Sequence, residues 1–158
     1  MNPEILQIAE QIKDAYEGDP WFGRNAKTLL SEISEEMAFQ KPSGQHSILE
    51  LVWHMVNWKE FVISRLVDEK RDDLAQFEEN DWRELNHSDI DLWSQGLERF
   101  NKAYKQLLEL VMKQNDALLS RPVHRRNYTF RKLLYGSVQH DIYHLGQIAY
   151  VKKLLAGN

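Results

Sequence analysis

The chain has 158 residues, 42% hydrophobic and 28% charged, with seven glycines, four prolines and no cysteine, which is the make-up of one globular domain spanning residues 1–158. The missing cysteines exclude disulfides, thiolate ligands and a thiol nucleophile, so any metal must be held by imidazole, carboxylate or water. Twenty Lys and Arg against 24 Asp and Glu leave a net charge of -4, which argues against DNA or RNA as a partner.

Apolar residues recur at spacings of three and four, and strict alternation is hard to find, so helices are expected throughout. A first helix opens with Asn2 as cap and Pro3 in the first turn, carries Ile5, Ile8, Ile12 and Tyr16 on one face and stops at Gly18. After a turn over 19–23, a shorter helix runs through Leu29, Leu30 and Ile33 to a loop at Lys41–Gly44. Ser47 and Glu50 form a capping-box pattern at the start of a second long helix, which has Leu51, Met55, Trp58, Val62 and Leu66 as its inward stripe and runs to about Asp68. Residues 69–87 are acidic and polar and read as a long crossover, with a partial helix around Phe77 and Trp82. A third long helix starts near Ser88, with Asp89 and Asp91 in its first turn. It carries Trp93, Leu97, Phe100, Tyr104, Leu107, Leu108, Val111 and Met112 and ends before Pro122. The last helix is capped by Thr129 and reaches about Leu155, with Gly157 beyond it. These elements predict an all-α fold, a four-helix bundle with a long crossover connection and a short extra helix. No apolar run is long enough to span a bilayer, and the first residues lack a basic segment followed by an apolar one. A cytoplasmic protein with no membrane partner is therefore expected.

Six histidines are spread along the chain. His140 and His144 stand four apart, which places both rings on one helical face within reach of a single ion. Two polar side chains bonded to neighbours would show the same spacing, so the pair alone does not decide. His54 keeps helical register with Leu51, Trp58 and Leu66 and is surrounded by apolar residues, so it points inward. A core histidine costs free energy unless both ring nitrogens are satisfied, and three inward histidines from two helices satisfy one another best by sharing a cation. Three neutral imidazoles leave coordination positions open, the pattern of a catalytic rather than a closed structural site. His46 lies beside a helix cap, and His87 and His124 fall in predicted loops.

The segment around His54, the Pro42-Ser43-Gly44-Gln45 loop before it, and the C-terminal His140-x-x-x-His144-x-Gly146-Gln147-Ile148 resemble the DinB superfamily of metal-binding helical bundles. The resemblance covers nearly the whole chain and rests on the spacing between His54 and the His140–His144 pair and on the Gly146-Gln147-Ile148 ending. It implies a divalent metal, nickel, zinc or iron, on His54, His140 and His144, and homodimerisation. It also implies thiol-transferase chemistry with a low-molecular-weight thiol cosubstrate such as bacillithiol or mycothiol. Leu145 stands where a basic residue is commoner in the family, but it touches no ligand position.

An ion on three neutral ligands keeps its full charge and can activate a thiol or a water molecule. With no cysteine in the chain, a thiol must arrive as a cosubstrate. Glu50, one turn before His54, is the candidate general base; as the third residue of the capping box it has a competing role at the helix end. Asp141 projects about 100° away from His140 and is a supporting or surface residue. Tyr143 and Gln147 are candidates to orient a ligand or a small-molecule substrate, or plain packing residues. The basic cluster Arg121, His124, Arg125, Arg126, Arg131 and Lys132 brackets the start of the last helix. Arg125 and Arg126 are candidates to anchor an anionic cosubstrate there, against the alternative of a solvated loop balancing the acidic crossover. A carboxylate-bridged di-iron site would need Glu-x-x-His on two helices, and only Glu84-x-x-His87 occurs. A non-catalytic bundle that binds metal and serves as a dimeric binding or sensor module stays open beside the enzyme reading.

Overall fold

Spacing of apolar residues at three and four produces helices that bury one stripe each, and the computed structural model is built from such stripes. It describes residues 3–86, 88–89 and 91–157. Among these there is no strand. Four long helices, α1 (Glu4–Tyr16), α4 (Ile48–Val67), α6 (Leu92–Met112) and α7 (Phe130–Ala156), are accompanied by the short α2 (Ala26–Ser31), α3 (Glu35–Phe39) and α5 (Leu74–Glu79) and a 3-10 turn over Asp116–Ser120. Helix α4 lies against α6 and α7, and α1 also lies against α6 and α7, so the order around the bundle is α1, α6, α4, α7. The fold is the expected all-α bundle. None of the described helices is long and apolar enough to cross a membrane.

Ile5, Ile8, Ile12 and Tyr16 of α1, Met55, Val62 and Leu66 of α4, Phe100, Leu107 and Val111 of α6, and Phe130, Leu134, Val138 and Ile148 of α7 form one continuous core. Burying a side chain of this size is worth about 1.5–3 kcal/mol against leaving it in water, which is what holds helices of such modest individual propensity together. The capping box at the head of α4 is formed in full: the Ser47 hydroxyl accepts from the Glu50 N–H at 3.1 Å and the Glu50 carboxylate accepts from the Ser47 N–H at 2.8 Å.

Several local expectations are corrected. Asn2 and His87 lie outside the described residues, and α1 has Pro3 in the N-cap position with Glu4 as its first residue. The one short helix is two, because Ser34 accepts from the Met37 N–H and starts a new helix past Ile33. Helix α6 begins at Leu92 rather than near Ser88, since the Asp89 carboxylate accepts from the Asp91 N–H and holds that stretch in a turn. Met112 is exposed: it follows the fully buried Val111 by about 100° and faces away from the core. Thr129 occupies the N-cap position of α7, but its hydroxyl caps nothing. Backbone bonds from Phe130 N–H to the Arg121 carbonyl and from Val123 N–H to the Tyr128 carbonyl, both 2.9 Å, fix the entry to α7 instead.

The crossover is tied down rather than loose. Arg65, almost fully buried on α4, donates to the Arg71 carbonyl and to the Asp73 carboxylate, and Asn57 donates to the Phe77 carbonyl at 2.8 Å. Trp58, expected inside, is only partly buried because its indole N–H donates to Asp81 of the crossover. These bonds lay residues 73–82 along α4 and bring Asp81 and Trp82 to His54.

Candidate metal centre

Helix α4 carries His54 on its inward side, and α7 carries His140 and His144 one turn apart on the face that meets α4. The three rings converge. Nε2 of His140 stands 3.0 Å from Nε2 of His54 and 3.1 Å from Nε2 of His144, and the three ligand atoms all lie within 4.8 Å of one another. His54 and His144 are buried and His140 is partly so.

The other ring nitrogens are oriented. Nδ1 of His54 lies 2.7 Å from Oδ1 of Asp81, and Nδ1 of His144 lies 2.6 Å from Oε1 of Gln147. Both partners are acceptors, so both Nδ1 atoms carry the proton and both Nε2 atoms present lone pairs to the centre. His140 Nε2 faces those two lone pairs at hydrogen-bond distance and has at most one proton to offer, so one close pair of nitrogens is left without one. A cation resolves the conflict. Two nitrogens each about 2.1 Å from one ion and subtending about 90–110° stand about 3.0–3.4 Å apart, which is the spacing found. The donor set therefore fits a divalent metal.

Protons are poor substitutes for that ion. Burial pushes the His140 imidazolium down to about 3, helped by the neighbouring His144, His54 and Lys59. Burial also lowers His54, against the attraction of Asp81, and lowers His144, against its bond to Gln147. All three rings are neutral at pH 7, the form that ligates. A histidine whose folded pKa lies below its unfolded value of about 6.5 binds fewer protons when folded. The stability it contributes is complete above that value and is lost as pH falls towards the folded pKa. The metal-free protein is thus expected to lose stability steadily between pH 6.5 and 5, and His140→Ala to flatten that slope. Chemical denaturation across this range in a chelating buffer checks it, and an equally steep slope in the variant would contradict the burial of the ring.

Trp82 stacks on the outer face of His54, with centroids 3.9 Å apart and planes 8° from parallel, and His46 stacks on its other side at 3.9 Å. Asp81 has no reading in the sequence, and Trp82 is expected there only within a partial helix, which in the structure ends at Glu79. They sit in a polar stretch without periodicity, and the aromatic residue inside an acidic run was the only hint of a packed role. Outer partners of metal-bound histidines are typically worth 10–100-fold in metal affinity, so Asp81→Ala is expected to weaken zinc binding by about that factor while leaving far-ultraviolet circular dichroism unchanged. Affinity equal to the parent's in a competition titration with a zinc chelator would remove Asp81 from the site.

Lys59 was also missed. It extends the inward stripe of α4 one turn past Met55, is buried, and donates to Asp141 Oδ2 at 2.5 Å. Asp141 thus supports the helix pair beside His140 rather than facing solvent. Lys59, His140 and Asp141 open on a groove of about 300 Å³ whose remaining walls include Trp58, Phe61, Val62, Tyr128 and Leu133.

Glu50 lines a small cavity with His54, Asp81 and Trp82. Its carboxylate is already engaged by the Ser47 N–H, by Lys41 Nζ at 2.8 Å and by His46 at 3.5 Å. Burial alone would raise its pKa, but Lys41 and the Ser47 N–H outweigh this and hold it below the ordinary carboxylate value. Gln147 holds His144, as one of its two sequence readings had it, and donates weakly to the Tyr143 hydroxyl. The basic loop is paired with the acidic crossover: Arg121 with Glu69 at 2.6 Å, Arg125 with Asp72 at 2.7 Å and Arg126 with Glu78 at 3.5 Å. Arg125 takes a left-handed backbone conformation, φ 55°. Of the six basic residues, Lys132 reaches the groove beside His140.

A family model described as the DinB superfamily matches residues 22–148. No curated protein and no solved structure matches.

Proposed function

Because the chain belongs to the DinB superfamily, we propose that His54, His140 and His144 hold one divalent metal ion, nickel, zinc or iron, and that the protein is a metal-dependent enzyme acting on a low-molecular-weight thiol or on water, as an S-transferase or hydrolase. The observation that carries this reading is the convergence of three Nε2 atoms at 3.0 and 3.1 Å with two of the rings locked in the ligating tautomer. A divalent ion on such a set lowers the pKa of a bound thiol or water and polarises a carbonyl oxygen. Asp81 and Gln147 keep two imidazoles aimed at the centre, and burial keeps all three unprotonated. The groove of about 300 Å³ that reaches His140 supports an apolar electrophile beside the ion. A β-carbon at Gly136, in its wall, would meet nothing within 4 Å, so the space there is open.

The core shared by all four long helices supports reading residues 1–158 as one domain. The exposed Tyr143, Tyr150 and Leu154 on α7 support a second copy of the chain on that face, a homodimer that light scattering would detect.

A conjugation screen of the zinc- and nickel-loaded protein, offering several low-molecular-weight thiols with monochlorobimane and a set of esters, tests the enzyme reading. Turnover that disappears in His140→Ala is the expected result. Tight metal binding with no turnover on any of these would leave a non-catalytic binding or sensor module. Glu50 is the proton acceptor of this reading, and Glu50→Gln separates its two roles, since Gln at that position still completes a capping box. Unchanged turnover in that variant would assign Glu50 to the helix end alone.

A further inference from the structure

Eight of the nine arginines have a carboxylate partner: Arg24 with Glu32, Arg65 and Arg71 with Asp73, Arg99 with Glu60, Arg121 with Glu69, Arg125 with Asp72, Arg126 with Glu78 and Arg131 with Glu4. Arg83 is the exception among the described residues. Its guanidinium lies 4.2 Å from the centre of the Trp53 ring, and that of Arg99 lies 5.7 Å from the same ring. Trp53 is itself fixed by donating to the Leu92 carbonyl at 3.2 Å.

Arg83 faces a polar groove of about 520 Å³ between α4, the crossover and α6. Two carboxylates line that groove. Glu60 is held by both ends of the Arg99 fork, at 2.5 and 2.8 Å, and Asp73 is taken by Arg65 and Arg71. Both carboxylates are already shared with other arginines, so Arg83 leaves the groove with surplus positive charge; burial and the nearby Arg99 lower its pKa, against the attraction of Glu60. Asn57, Gln76, Asn80 and Gln106 also line the groove. An arginine fork that is stacked, half-buried and free of a carboxylate is preorganised for a planar or tetrahedral oxyanion.

We propose that this groove binds a small anionic molecule through a carboxylate or phosphate group seated on Arg83. Arg125 and Arg126, the anchors that the sequence offered, each face a carboxylate of the crossover, whereas Arg83 forms no ion pair among the described residues. Arg83 also borders the small cavity that holds His54, Asp81 and Trp82, so a molecule anchored there lies on the far side of the same turn from the histidine triad. The site needs no metal.

Inorganic phosphate and acetate, titrated into the metal-free protein at constant ionic strength and followed by the indole N–H resonance of Trp53, the ring under Arg83, in nuclear magnetic resonance, test the site. Saturable shifts are expected, with binding about tenfold weaker or more in Arg83→Gln and unchanged in Arg125→Ala. Arg83→Lys keeps the charge over Trp53 but loses the fork, and is expected to bind between the parent and Arg83→Gln. A preference for acetate points to a carboxylate ligand and a preference for phosphate to a phosphorylated one; either supports the site. No saturation by tens of millimolar of either anion, or equal affinity in folded Arg83→Gln, overturns it. Using His140→Ala as a background keeps this result separate from any failure of metal binding.

Discussion

Asp141→Asn is expected to destabilise the protein by about 3–5 kcal/mol, the cost of leaving a buried ammonium without its counter-charge. Lys59 is only 2% exposed and Asp141 is its ion-pair partner, so the ammonium meets little solvent that could replace the lost carboxylate. For a chain of this length the loss corresponds to roughly 10 °C in Tm. The companion Lys59→Met/Asp141→Leu removes both charges and keeps the volume, and it is expected to recover most of the loss, because an apolar pair in such a place is often as stable as an ion pair. Urea denaturation with a chelator present measures both without a contribution from metal. An Asp141→Asn protein within about 1 kcal/mol of the parent would mean that the pair is wet in solution. The pair links α4 to α7 one residue from His140, so the expected loss has a functional side: the variant should also hold its triad less rigidly.

Metal addition has the second large effect. A ligand that binds the folded chain alone stabilises it by about 2.7 kcal/mol at 100 times its dissociation constant and about 4 kcal/mol at 1,000 times. The parent is therefore expected to gain several degrees in Tm with excess zinc or nickel, and the gain should grow with metal concentration. His54→Ala and His140→Ala each remove one of three donors and should lose it. Equal shifts in parent and variants would place the ion elsewhere on the surface.

Much of the bundle was legible because burial repeats with the helical period: the stripes through Ile5, Ile8 and Ile12, and through Phe100, Tyr104 and Leu107, are core residues. The capping box was legible because its two side chains are local in sequence. The three histidines were legible for a related reason, since two share one helical face and the third keeps register with apolar neighbours. What packs around them was not. Asp81 reaches His54 across 27 residues and Lys59 reaches Asp141 across 82, and nothing local in either segment encodes those meetings. The acidic crossover has no apolar period, so its docking along α4 through Arg65, Asn57 and Trp58 could only come from tertiary structure. The basic loop before α7 is legible as a cluster because its charges are close in sequence, whereas the pairing of Arg121, Arg125 and Arg126 with carboxylates of the crossover is set by the fold.

Metal analysis of protein purified without a polyhistidine tag decides whether the three histidines hold an ion. Three converging imidazoles predict about one divalent ion per chain in the parent, retained through gel filtration, and almost none in His140→Ala. A parent that remains metal-free after incubation with zinc, nickel and ferrous iron, or a His140→Ala variant that holds as much as the parent, would contradict it.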